Sequence, residues 1–316
     1  MDFSILWSEF FGLTLDGIVV GAIYALVSLG YTLVYGVLRL INFAHSEIFM
    51  IGTFTSLGLS IVFGYTGLEE PLGIVLFFFV FLVMALASGI ASGMSAVLLE
   101  FVAYRRLRRR GANRLSSLIS AIGASFFLVE LFRLTTESKD WDFPRMLSKD
   151  PIFSISTAYF TLDKIIILLG AFGLMFGLDR IINTTRLGRG IRAVSQDEKT
   201  AILMGVNVDR VISFTFLLGG VLAGFASTFY MLFYESTKFN VGFLLGISAF
   251  TAAVLGGIGN IRGALVGSFV LGLLQQYSSV VLGYNWRDVV TFVILVFVLL
   301  FKPTGLFGES IQRARV

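Results

Sequence analysis

Nine stretches of this chain, roughly residues 10–38, 47–64, 72–100, 115–134, 161–182, 211–234, 243–260, 263–283 and 287–302, are apolar and nearly free of charge. A helix needs about 20 such residues to cross the hydrocarbon of a bilayer. In lipid each backbone N–H and C=O must find its partner inside the protein, so runs of this kind fold as spanning helices. The expectation is an all-α polytopic membrane protein with about nine transmembrane helices. The 161–182 and 287–302 runs are short enough to tilt or to end at the interface. No soluble domain stands apart, so residues 1–316 read as a single transmembrane domain. Composition agrees: charged residues are 14% of the chain, against about a quarter in soluble domains.

Four Pro leave most helices unbroken, and the lack of Cys excludes disulfides and thiol chemistry. Asp2 and Glu9 precede the first apolar run without a basic region, which argues against a cleaved signal peptide. The net charge of +4 sits mainly in two loops and the C-terminal tail. That distribution reads as membrane topology, not as affinity for nucleic acid.

Orientation follows from short loops. Residues 104–114, YRRLRRRGANR, hold six Arg in eleven positions and should be cytoplasmic. Counting outward places Arg39, segment 184–210, Arg262 and the tail from Lys302 inside. The same count places the N-terminus, Glu69 and Glu70, 135–160, 235–242 and 284–286 outside. The plain reading of 104–114 is an anchor on anionic lipid; contact with a partner subunit is the other. The 135–160 loop suits an interfacial structure at headgroup level, or a meeting with a soluble solute-binding protein.

Small residues recur every fourth position in three helices: Ala85, Gly89 and Gly93, with Ser88, Ser92 and Ala96 beside them; Gly220 and Gly224; Gly263 and Gly267. Such spacing lets helices pack closely in lipid, where no hydrophobic drive joins them. Residues 255–260, LGGIGN, cannot remain a straight helix with three Gly and an Asn. A helix break near the cytoplasmic end of a pathway is expected there.

Two polar segments interrupt the apolar pattern. Residues 39–47, RLINFAHSE, contain the sole histidine. They form either an inner loop in which Arg39 pairs with Glu47, or a broken helix whose Asn42, His45 and Glu47 line a translocation path. Segment 184–210 carries Arg186, Arg189, Arg192, Lys199 and Arg210 with Asp197, Glu198 and Asp209. Ile191, Val194, Ala201, Ile202 and Met204 return at helical spacing, with Gly190 opening the segment and Gly205 followed by Asn207 as a stop. A short amphipathic helix on the membrane surface and a solvated loop are both open.

Residues 187–197, LGRGIRAVSQD, with Ala201, Met204 and Gly205, resemble the coupling loop of branched-chain amino acid ABC importer permeases. Residues 30–54, GYTLVYGVLRLINFAHSEIFMIGTF, resemble that family's first signature; 249–260, AFTAAVLGGIGN, and the pair Arg287, Asp288 with 301–308, FKPTGLFG, continue the likeness in order. Ser46 stands where the family more often has Gly, Ser248 where it often has Lys, and Arg262 where it often has Pro. The resemblance implies a type II-like ABC importer permease with related halves of opposite topology. It implies a coupling loop at 184–210 that docks on ATP-binding subunits through Gly188, Arg189, Gly190, Arg192, Val194, Asp197, Ala201 and Gly205. Ile191, Val194 and Ala201 would supply the apolar contact face, Arg189, Arg192 and Asp197 its charged contacts, and Gly188 and Gly190 a tight turn. Asn42, His45, Glu47, Gly256, Gly257 and Asn260 would line the path. Partners implied are the ATP-binding subunits, a homologous second permease, an extracytoplasmic solute-binding protein and membrane lipid, at the plasma (inner) membrane.

No G-x-x-x-x-G-K-[ST] is present, so ATP would be used by a partner and this chain needs no cofactor. Branched-chain or other neutral amino acids are the implied cargo, with urea or short amides as the alternative. An ion-coupled secondary amino acid transporter is a rival, although the expected midplanes are almost uncharged and Glu130 and Arg133 read as a structural pair. A Ser–His hydrolase using Ser92 and His45 is the third; nothing in the sequence brings those two together.

Overall fold

The computed structural model describes residues 4–65 and 71–308. The expected outer position of Glu69 and Glu70, and the tail residues Arg313 and Arg315, lie outside the described residues. The chain is mostly helical, and each apolar run becomes a helix. A short α1 (Ser4–Ser8) leads into α2 (Phe10–Leu38), and α3 is His45–Val62. Next, α4 (Ile74–Leu99) continues through a π-helical turn, Glu100–Arg105, into α5 (Arg106–Arg109). Then come α6 (Arg114–Thr135), α7 (Leu162–Thr184), α8 (Arg186–Gln196), α9 (Glu198–Leu203), α10 (Val208–Tyr234), α11 (Val241–Gly256), α12 (Ile261–Leu282) and α13 (Arg287–Phe301).

Seven helical spans among the described residues are long and apolar enough to cross a membrane. The other two expected crossings fall on α3, of 18 residues, and α11, of 16. At about 1.5 Å per residue, α11 is shorter than the hydrocarbon core. It ends at Gly256, not near 260, because Gly257 takes φ +111°, a conformation that no helix continues.

The expected small-residue stripes are the helix contacts. Gly220 of α10 lies against Ala96, Ser92 and Gly93 of α4, and Gly224 against Ser88 and Gly89. Gly263 and Gly267 of α12 meet Gly256 of α11, backbone against backbone. A third seam, not anticipated, sets Gly17 and Gly21 of α2 against Phe269, Gly272 and Leu273 of α12. A Cβ at these points would overlap the facing backbone, so contact through small residues sets the spacing of the bundle. The outer face of α4 instead presents Val75, Phe79, Ile90 and Met94, the surface a lipid-facing helix requires.

Hydrogen bonds and ion pairs sort the connections into two ends. At one end, Arg108 and Arg109 pair with Asp209, Arg39 bonds Ser195, and the 302–308 segment folds back on α11. At the other, β1 (Trp141–Asp142) pairs with β4 (Ser236–Thr237), and β2 (Pro151–Ile155) forms a hairpin with β3 (Ala158–Thr161). Glu235 binds Arg145 and Lys149 there. The all-α expectation therefore needs these four short strands added to it. The 104–114 cluster is less a free anchor than expected: Arg105 and Arg108 also pair with the buried Glu100. Glu130 and Arg133 pair as expected, on the exposed face of α6.

Candidate functional site

The end of the bundle that holds Arg39 is marked by caps. Asn113, Thr185, Asp197, Asn207 and Asn260 each accept an N–H in the first turn of α6, α8, α9, α10 and α12. An Asn, Asp or Thr at this position satisfies donors a helix leaves open. Asn207 therefore starts α10, correcting its reading as part of a stop; the stop is Gly205, at φ +82°. The uncapped start at this end is α3, whose N-cap position is Ala44.

Segment 184–210 is two helices, not one. Asp197 ends α8 and caps α9, accepting from the Lys199 and Thr200 amides and the Thr200 hydroxyl. The Thr200 hydroxyl, followed by the Thr200 and Lys199 amides, holds the Asp197 carboxyl below the usual carboxylate range. Gly188 and Gly190 lie inside α8 and make no tight turn. A Cβ on Gly188 would strike the carbonyls of Ile181 and Ile182, and one on Gly190 would press on Val211.

The apolar stripe expected to meet a partner faces inward. Ile191, Val194 and Ala201 are buried, Val194 at 3% exposure, in the chain's own core. Arg192 likewise turns inward, to the Ile182 carbonyl and to Asn183 Oδ1. What α9 presents outward is Ile202, Leu203 and Met204, with Leu203 at 85% and Met204 at 79% exposure, beside the exposed Arg189, Glu198 and Lys199. The physical reason is amphipathicity: α8 needs its apolar face to sit on α7 and α10, which leaves the tip of α9 to project.

Sequence reasoning missed the link between the two polar segments. Arg39 Nη2 donates to the Ser195 carbonyl at 2.7 Å and does not pair with Glu47. Arg39 holds φ +53°, a left-handed conformation that glycine adopts far more readily. Its side chain joins the end of α2 to α8. A cleft of about 520 Å³ lies between them, lined by Arg39, Leu40, Tyr104, Arg108, Ser195 and Asp197 among others. One available signal was an arginine directly after a long apolar helix.

Behind this cleft, residues 39–44 form a short connection between α2 and α3, which begins at His45. Yet Asn42, His45 and Glu47 are fully buried in protein and face no lipid. Tyr104 Oη donates to Asn42 Oδ1 at 3.0 Å. The Ser125 and Ser46 hydroxyls donate to Glu47 Oε1 at 3.0 and 3.1 Å. The His45 ring stands edge-on to Tyr31, wedged against Gly30 and Gly219, where any Cβ would collide or crowd it. Asn42 Nδ2, His45 Nε2 and Glu47 Oε2 have no hydrogen-bond partner among the described residues. Ser92, by contrast, donates to the Ile48 carbonyl at 2.9 Å and makes no hydrogen bond to His45, so the hydrolase pair is not assembled.

The break at Gly256, Gly257 and Asn260 lies at the same end, with Gly259 near Tyr35 of α2. It is closed by the chain's own backbone. Leu306 and Phe307 amides donate to the Leu255 and Gly256 carbonyls at 2.8 and 2.9 Å, and Asn260 Nδ2 donates to the Phe307 carbonyl at 3.0 Å. Gly305 and Gly308 pack on Gly257. The FKPTGLFG motif is therefore a clasp on this turn, a role its sequence did not disclose.

The family described as "Branched-chain amino acid transport system / permease component" matches residues 13–299. The high-affinity branched-chain amino acid transport system permease protein BraD of Pseudomonas aeruginosa is 40% identical over 298 residues, covering 93% of this chain and 94% of that protein. LivH of Escherichia coli, a permease protein of the same description, is 39% identical with the same coverage. A probable LivH of Methanocaldococcus jannaschii is 25% identical over 94% of the chain and 92% of its own length. No solved structure matches. The chain belongs to the family of permease components of branched-chain amino acid transport systems.

Proposed function

We propose that this chain is the membrane-spanning permease subunit of an ATP-driven importer for branched-chain and other neutral amino acids. It would work with ABC ATP-binding subunits, a homologous second permease and an extracytoplasmic solute-binding protein. ATP is used by the ATP-binding partner, and this chain carries no cofactor. The end holding segment 184–210 faces the cytoplasm with the C-terminus, and the N-terminus lies outside, because the arginine-rich 104–114 loop belongs to that end.

The observation that carries the coupling role is the projecting tip of α9. Ile202, Leu203 and Met204 are exposed apolar residues in the connection between α7 and α10, two helices long and apolar enough to cross a membrane. An exposed apolar patch rimmed by charge marks an interaction site. The tip is attached to α8, and Arg39 ties α8 to the α2–α3 junction. Movement of a docked ATP-binding subunit then reaches Asn42, His45 and Glu47 through one short chain of contacts.

Replacing Leu203 with Asp tests this without touching the core. Burying a Leu contributes about 1.5–3 kcal/mol, so co-purification of the ATP-binding subunit should fall by tenfold or more, with the permease still inserted and monodisperse. Wild-type assembly and wild-type leucine-stimulated ATP hydrolysis in this variant would remove α9 from the mechanism. Uptake of urea but not leucine by the assembled importer would replace the amino acid assignment.

A further inference from the structure

On the face opposite segment 184–210, a cavity of about 310 Å³ opens among α2, α10, α11 and the start of α13. That size is at the lower end of small-molecule sites, roughly 300–1,000 Å³. Arg287 sits in its wall at 8% exposure. A buried cation ordinarily has a carboxylate beside it, because the desolvation cost is otherwise uncompensated. Arg287 forms no ion pair with any described residue. Its partners are neutral. Nε donates to Gln275 Oε1 at 3.0 Å and Nη2 to Tyr24 Oη at 3.1 Å. The rings of Tyr234 and Tyr284 flank the guanidinium, with centroids at 5.7 and 5.9 Å.

These neutral partners are themselves locked. Tyr24 Oη donates to Gln275 Oε1 at 2.7 Å, and Gln275 Nε2 donates to Ser248 and Thr291. The guanidinium is therefore fixed in place with donors of its five N–H groups to spare, the condition under which an anion binds at little ordering cost. Its fork matches a carboxylate in two parallel bonds. The cavity also holds one acid, Asp288, and a second cation, Lys238, and its apolar wall is Val241, Leu244 and Leu245. One carboxylate receptor, one ammonium receptor and an aliphatic wall match the three parts of an aliphatic amino acid.

We infer that this cavity is a binding site for a zwitterionic aliphatic amino acid, with Arg287 holding the carboxylate and Asp288 the ammonium group. The inference rests on the import of neutral amino acids proposed above and names where this chain receives them. Ser248, also in the cavity wall, accepts from Gln275 and helps hold this network in place.

The absence of native Cys makes thiol protection a direct test. In the full chain carrying Leu244→Cys, reconstituted in nanodiscs, L-leucine should slow alkylation. L-leucinamide, which lacks the carboxylate, should not. In Arg287→Gln on the same background the leucine needed for half-protection should rise about 30-fold or more, as for removing one partner of a buried charge pair. Arg287→Lys should fall between, since a point charge replaces the fork. Asp288→Asn should abolish the preference for leucine over 4-methylpentanoate. Equal protection by leucine and leucinamide would overturn the inference even if Arg287→Gln failed to fold, as would unchanged protection in a folded Arg287→Gln. Leucine uptake by the assembled importer without protection at Leu244→Cys would sink this site and leave the proposed function standing. Protection without uptake of any aliphatic amino acid would do the reverse.

Discussion

Two helix breaks lie at one end of this bundle, and they are built on opposite principles. At the α11–α12 break the chain closes on its own turn: Asn260 caps α12, its side-chain amide donates to the Phe307 carbonyl, and the 302–308 segment folds over Gly256 and Gly257. At the α2–α3 break the helix start is uncapped, and Asn42 Nδ2, His45 Nε2 and Glu47 Oε2 are buried with no hydrogen-bond partner among the described residues. An unmet buried polar group costs about 1–3 kcal/mol. The two breaks therefore differ in how much of their polar surface the chain itself satisfies. The unsatisfied break is the one joined to segment 184–210, through Arg39.

The largest effect expected from this contrast is at the closed break. Changing Gly256 to Val drives a Cβ into the Gly263 carbonyl and separates α11 from α12 along their glycine seam. Overpacking typically costs about 1–3 kcal/mol and occasionally more; with backbone on both sides, about 3 kcal/mol or more is expected. The variant should lose monodisperse protein on size exclusion after detergent extraction. A stable, transport-competent Gly256→Val protein would break the comparison at its rigid side.

The intermediate effect is a crossed pair. Asn260→Leu removes a cap and the bond to the Phe307 carbonyl, a loss of about 1–2 kcal/mol, visible as a lowered unfolding temperature. Glu47→Gln keeps the shape of a side chain that is already half-unpartnered, so the unfolding temperature should hold or rise while leucine transport drops. His45→Phe is a poorer probe, since the ring is wedged against Gly30 and Gly219 and a larger side chain overpacks. If Glu47→Gln destabilises as much as Asn260→Leu and transports normally, the two breaks are alike and the open one has no special function.

Much of this molecule is legible without coordinates, and the limits have physical causes. Apolar runs and small-residue stripes fixed helices and seams, because lipid leaves a helix few ways to pack. Residues 39–47, 184–210 and 255–260 stood out for their polarity or glycine content. Facing, however, was misread: the α8 stripe of Ile191 and Val194 looks identical whether it meets a partner or its own bundle, and only burial distinguishes them. Contacts far apart in sequence, such as Arg39 with Ser195, Tyr104 with Asn42 and Phe307 with Gly256, leave no local periodicity to read. The consequence is practical. Val194→Asp or Gly190→Val perturbs the core of this chain and cannot isolate a partner contact, whereas Leu203→Asp can.

The smallest expected effect on the fold is at Arg39, and it is the most informative about mechanism. Its guanidinium is exposed, and its one bond to the Ser195 carbonyl is solvent-accessible, so Arg39→Ala should cost less than about 1 kcal/mol of stability. Insertion, assembly with the ATP-binding subunit and basal ATP hydrolysis should all persist, because neither the α9 tip nor the seams are touched. What should change is the ratio of leucine-stimulated to basal hydrolysis, together with the uptake per ATP. Arg39→Lys should restore part of both, since an ammonium can reach the same carbonyl with one donor. Arg39→Gly separates the side chain from the backbone, for it keeps the left-handed turn at no strain and loses only the link to α8. If the glycine variant couples as well as wild type, the bond between Arg39 and Ser195 transmits nothing. Any link to the α2–α3 break would then have to run through Tyr104 and Asn42, from the arginine-rich end of α5, and not through segment 184–210.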